Sequence, residues 1–253
     1  MDRINNQNLS NDFVLLNDWL FTQYNHMPSK HLLALPYLTT PTIEYSQAAL
    51  RIVVENRETN GWGEKEFSNT RNLLSNDLER LYISNINKDW NNLGSVWPMY
   101  YALRALSEGD NPLECLKGKV GFIHSNVALI GRKYGNTGFE PSIKDLLIQA
   151  QDNFLKACKA DILLLGIGFG SKANTEQPYL EILEKTYLGK LLQREKIEKC
   201  ETPLYRLFFE NSHDLIIFGY GHPQGLSYVP IVDFLKDFII NLVNNRNPSF
   251  TKK

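Results

Sequence analysis

The chain has 253 residues, 43% of them hydrophobic and 22% charged, which suits one large α/β domain or two small ones around a buried core. The 27 basic and 28 acidic residues leave a formal charge of −1. This argues against a protein that coats nucleic acid without specificity, while leaving room for a local basic rim around one cleft. Cys115, Cys158 and Cys200 are far apart and form no CxxC pair, no apolar run is long enough to span a bilayer, and the opening MDRINNQNLSND is polar; the expectation is a cytoplasmic protein with no membrane partner, no disulfide framework and no zinc or iron–sulfur site.

Phe13, Leu16, Leu20 and Tyr24 recur at helical spacing near the start. The first 49 residues carry no readable chemistry and are expected to be a helical extension packed on the rest. The first short apolar run is Leu50–Glu55. Phe67, Leu74, Leu78 and Leu81 then fall near one helical face. The second run, Lys119–Asn126, is followed by a stripe of Ile143, Leu146, Leu147, Ala150, Phe154 and Ala157, with Pro141 and Ser142 as its start. After the third run, Asp161–Gly166, the segment Leu183 to Leu192 fits a helix. The fourth run, Asp214–Gly219, precedes a last helix with Val232, Leu235, Phe238, Ile239 and Leu242 on its apolar side. Continuous apolar runs with little alternation suit strands buried on both faces. Strands alternating with helices predict a single α/β domain over 1–253, a three-layer sandwich around a central four-stranded, mostly parallel sheet.

In such sheets ligands bind outside the carboxyl ends of the strands, so the residues after each run matter most. After the first run come Asn56-Arg57-Glu58-Thr59-Asn60-Gly61-Trp62-Gly63. Glu58 is a catalytic or binding candidate, with a solvated, helix-capping turn as the alternative. The second run ends in Asn126, with Arg132 and Lys133 close behind; an amide there can read a base edge because it both donates and accepts, or it can simply form a turn. The third is followed by GIGFGSKAN, which is neither a GxGxxG fingerprint nor a GxxxxGK[ST] loop. Lys172 lies within it, a phosphate contact or a solvated cation. After the fourth comes Gly221-His222-Pro223-Gln224-Gly225-Leu226-Ser227, where an apolar Leu226 sits in a turn and Ser227 can cap the last helix.

These four landmarks, in this order, resemble the uracil-DNA glycosylase superfamily. His222 to Ser227 is similar to the family's HPSPLS motif, and Asn126 falls where the family's asparagine reads the flipped base. Asn56 to Asn60 stands at the family's GQDPY motif, and NRETNGW is closer still to the GQETNGW of a divergent branch. The resemblance covers Leu50 to the last helix. It implies a DNA glycosylase that flips a nucleotide out of the stack and hydrolyses its N-glycosidic bond, with no metal or cofactor, as a monomer on double- or single-stranded DNA. Glu58 would position or activate water and stabilise the sugar cation. His222 would donate a hydrogen bond to the departing base, and Asn126 would read its edge. Leu226 would wedge into the gap in the duplex and Ser227 would contact a phosphate. Arg57, Arg132, Lys133 and Lys172 would form the basic rim.

Three departures bear on the substrate. Glu58 replaces the usual Asp and is one methylene longer, which moves the attacking water by about an ångström. Arg57 replaces Gln. The motif's tyrosine, which packs against the 5 position of the base and excludes thymine, is replaced by Asn60 beside Gly61. A smaller, polar wall there should admit a bulky 5-substituent, and glucosylated hydroxymethylcytosine of phage DNA is the expected substrate, as in the anti-phage branch of the superfamily. Two other readings stand beside it. One is ordinary repair of uracil or a mismatched base, and the other is a catalytically dead member that binds DNA or a protein. An unrelated α/β hydrolase is disfavoured, because there is no GxSxG. Trp62, Trp97, Tyr134 and Phe169 are candidates to stack on the base, with Trp62 preferred. His26, His31, His124 and His213 receive no role.

Overall fold

The computed structural model describes residues 6–34, 36, 38–58, 73–74, 97–108, 112–132, 138–170, 174–221 and 228–246. Their centre is a six-stranded mixed sheet. Its strands are β2 (Leu50–Glu58), β4 (Val120–Ala128), β5 (Ile162–Leu165), β6 (Leu191–Lys196), β7 (Leu204–Phe209) and β8 (Ile216–Tyr220), in the order β4-β2-β5-β8-β7-β6. A separate parallel pair joins β1 (Thr39–Thr40) to β3 (Leu73–Leu74). The helices are α1 (Asn6–His26), α2 (Ile43–Gln47), α3 (Trp97–Glu108), α4 (Lys144–Cys158), α5 (Gln177–Leu183) and α6 (Val229–Arg246).

The four apolar runs become β2, β4, β5 and β8, all mutually parallel. All nine residues of β4 are buried, as expected for a strand covered on both faces. One face of the sheet packs Val53, Ile123, Leu163 and Ile217 against Leu147, Ala150 and Phe154 of α4 and against α1 and α5. Phe13 of α1 meets Phe154 edge to face, ring centroids 5.8 Å apart. The other face packs Ile52, Val54, Phe122 and Leu164 against Met99, Tyr100 and Leu103 of α3 and Ile231, Leu235 and Ile239 of α6. Burial of these side chains is the main stabilising term, roughly 25 cal/mol per Å² removed from water. Short α2 is capped by Thr42, whose hydroxyl accepts from Tyr45 N at 3.2 Å. It lies so close to β4 that a Cβ on Gly121 would stand 2.5 Å from the Cα of Tyr45.

The sheet has six strands where four are expected. The segment from Leu183 to Leu192 is not one helix: α5 ends at Leu183, Gly189 turns the chain at φ +72°, and β6 begins at Leu191. β6 and β7 form an antiparallel hairpin that extends the sheet beyond β8. The helix read through Phe67, Leu74, Leu78 and Leu81 is also corrected at one point, because Leu74 lies in β3; the other three fall outside the described residues. No described helix is long and apolar enough to cross a membrane.

Candidate active site

The carboxyl ends of the four parallel strands form one level edge. Asn56 pairs in register with Asn126, and Glu58 with Ala128. Glu55, Leu165 and Gly219 also share a row. Glu58 and His222 each follow that row by three residues, on β2 and after β8. The turn after β5 is tied into the edge by Gly166 N–H, which donates to Glu55 O at 2.8 Å, and by the N–H groups of Gly168 and Phe169, both 3.2 Å from Tyr220 O.

Side chains alternate along a strand, so neighbouring residues here serve opposite faces. On the α4 face, Glu55 is wholly buried, and Gln151 Nε2 donates to its two carboxyl oxygens at 2.9 and 2.8 Å. Burial pushes this carboxyl up to about 8, against a weaker downward pull from the Gln151 hydrogen bond, so Glu55 is protonated at neutral pH. On the α3 face, Asn56 Nδ2 lies 2.7 Å from His124 Nε2. Burial pushes His124 down to about 3, so the ring is neutral; with the amide donating, Nε2 accepts and the ring proton sits on Nδ1. The backbone oxygen of His124 accepts from Thr39 Oγ1 at 2.5 Å. Asn126 is 1% exposed, and its Nδ2 has no hydrogen-bond partner among the described residues. The same holds for Asn56 Oδ1 and for the Tyr220 hydroxyl, which burial holds above its ordinary value.

Arg57 and Arg132, the basic candidates among the described residues, are engaged with the protein. Arg57 spans from β2 to the turn after β5, donating from Nε to Ile167 O at 3.1 Å and from Nη2 to Thr175 Oγ1 at 2.6 Å. Arg132 pairs with Glu140 at 2.8 Å, and its backbone bridges to Leu33. Phe169 is 1% exposed and packs on Tyr205 and against Gly219, which makes it a core residue rather than a platform for a base. For Glu58 the described feature is its backbone position at the end of β2, and for Trp97 its place at the start of α3. Asn60, Trp62, Lys133, Tyr134, Lys172, His222, Leu226 and Ser227 lie outside the described residues. Among the described residues no group of His, Cys, Asp and Glu side chains could hold a metal ion.

The structure thus brings Asn126 to the same edge as the backbone of Glu58, and adds Asn56, His124 and Tyr220, which the sequence reading gave no role. The available signal was the alternation His124-Ser125-Asn126, which puts a histidine and an asparagine on one buried face, and the polar Asn56 opposite them. Comparison with known protein families, with curated proteins and with solved structures finds no match to this chain.

Proposed function

We propose that the protein is a DNA glycosylase with a uracil-DNA glycosylase-like fold. It flips out a pyrimidine and hydrolyses its N-glycosidic bond, leaving an abasic site. The reading is carried by the sheet register: all four motif-bearing strands are adjacent and parallel, and their carboxyl ends form one level edge. β2 and the strand before His222 are separated only by β5, so their ends lie about 10 Å apart at roughly 4.8 Å per strand. That span fits one nucleoside between a group acting on the sugar and one acting on the base.

Water adds to C1′ as the bond to the base nitrogen breaks. Glu58 takes the proton from water and its charge stabilises the oxocarbenium-like sugar. The bonding electrons leave with the base, and His222 donates a hydrogen bond to the anion that forms. Asn126 reads the base edge. Leu226 fills the gap left in the stack, with Ser227, Lys133 and Lys172 on phosphates. Arg57 and Arg132 would contribute positive potential while holding the two loops at the edge. Asn60 in place of a tyrosine favours a base with a large 5-substituent, such as glucosylated hydroxymethylcytosine in phage DNA, and hence a role in anti-phage defence.

The test is single-turnover incubation with matched oligonucleotides carrying uracil, thymine, hydroxymethylcytosine or its glucosylated form, followed by alkaline cleavage of abasic sites. Cleavage at the glucosylated base is expected. Cleavage at uracil alone would replace the modified-base reading with ordinary repair, and cleavage at none would remove the enzyme reading.

A further inference from the structure

Asn56 sits two residues before Glu58 on β2, in register with Asn126, and is 1% exposed. Its two amide atoms are in different situations. Nδ2 is held by His124 Nε2 at 2.7 Å, while Oδ1 is buried with no hydrogen-bond partner among the described residues. That oxygen projects over the carboxyl end of β5. A Cβ on Gly166 would stand 2.6 Å from it and 2.9 Å from the Tyr220 ring, so the amide occupies space that only glycine leaves open. Two further polar atoms of the cluster are buried and unpartnered, Asn126 Nδ2 and the Tyr220 hydroxyl. Burying such an atom without a partner is costly, and a native fold that keeps several together calls for a physical reason.

We propose that Asn56 is a second base-reading amide, locked by His124 so that its oxygen accepts a hydrogen bond from the edge of the flipped base while Asn126 donates to the neighbouring acceptor. This rests on the glycosylase reading and adds a specificity residue to it. The two residues stand in register on adjacent strands, whose backbones are about 4.8 Å apart. Together they present an acceptor and a donor, the complement of a pyrimidine edge with adjoining N–H and lone pair. His124 is a positioning residue: as a neutral acceptor it fixes which end of the Asn56 amide is free.

The experiment compares the preferred base with an analogue whose edge N–H is replaced by C–H: hydrogen for the 4-amino group of a cytosine, or the 3-deaza ring for a uracil. In the unmodified protein, loss of that donor should lower kcat/KM about 10-fold or more, because a buried acceptor is left unpaired. Asn56→Leu removes the acceptor at similar volume and should abolish the difference between base and analogue. Asn56→Asp keeps an oxygen in place and should retain the difference. His124→Gln still offers an acceptor to Asn56 and should retain it too, whereas His124→Leu should reduce it. Equal rates on base and analogue in the unmodified protein overturn the proposal whatever the variants do. A full analogue penalty in folded Asn56→Leu, even at a lower overall rate, also overturns it, since a purely structural role would slow both substrates alike. Excision of no base at all by the unmodified protein overturns the glycosylase reading and this inference together.

Discussion

The two faces of the sheet at the carboxyl end of β2 solve the burial of polar groups differently. Toward α4, Glu55 is a carboxyl deprived of water, neutralised by burial and held through both oxygens by Gln151. Toward α3, one residue further, Asn56 keeps its oxygen unpartnered beside an equally unpartnered Asn126 amide. The contrast is between the two strand residues themselves, since the α4 face also keeps Gln151 Oε1 and Ser125 Oγ, the latter in register with Glu55, buried without a hydrogen-bond partner among the described residues. Both carboxyl oxygens of Glu55 are held, the Asn56 oxygen is not, and on the proposal above that oxygen is assigned to the edge of a base.

The largest effect should come from the strand end itself. Glu58→Ala is expected to lower single-turnover excision about 10²- to 10⁴-fold with little change in the denaturation midpoint, and an equal rate would remove Glu58 from the chemistry. The next two effects concern stability and run in opposite directions with pH. Glu55 has a folded value near 8 against an ordinary 4.5, so the folded state holds the extra proton and stability falls as pH rises from about 4.5 to 8. Across that window the loss is on the order of 5 kcal/mol. Glu55→Gln should remove it, leaving the variant the more stable protein at pH 9 by denaturant titration; parallel pH profiles for the two proteins would contradict the assignment. His124 has a folded value near 3 against 6.5, so its contribution is complete above about pH 6.5 and is lost as pH falls toward 3. His124→Gln should flatten that acid limb and leave the alkaline one. A smaller effect is expected of Gly166→Ala, whose methyl group would displace the Asn56 amide: about 1–3 kcal/mol of stability, measured as a lower midpoint, and a slower excision. The smallest is Leu192→Lys on the exposed edge strand β6, 66% exposed and distant from both clusters, which should shift the midpoint by less than about 0.5 kcal/mol.

The sequence disclosed the parts whose physics is local and repetitive. The four buried runs are apolar on both faces, so their composition alone marks them as strands, and the stripe through Leu147, Ala150 and Phe154 marks α4. The hairpin was not legible. β6 reads LLQREK and lies largely exposed, so no buried side forces an alternating pattern; it is a strand because β7 offers it hydrogen bonds. Helix α3 was also missed, since its apolar face is cut short before Glu108 and opens on Trp97-Pro98. At the site, the motifs pointed to Glu58, Asn126 and His222 by their places at strand ends. Asn56 and His124 were not singled out, because a buried hydrogen bond between residues 68 apart in sequence becomes visible only when the register brings their strands together.

The most direct test is mass spectrometry of the free base released from DNA containing glucosylated hydroxymethylcytosine, with uracil-containing DNA of the same sequence alongside. Stoichiometric release of the intact glucosylated base is expected, abolished in His222→Ala and Glu58→Ala. Release of no base from either DNA, by protein shown to be folded, would contradict it.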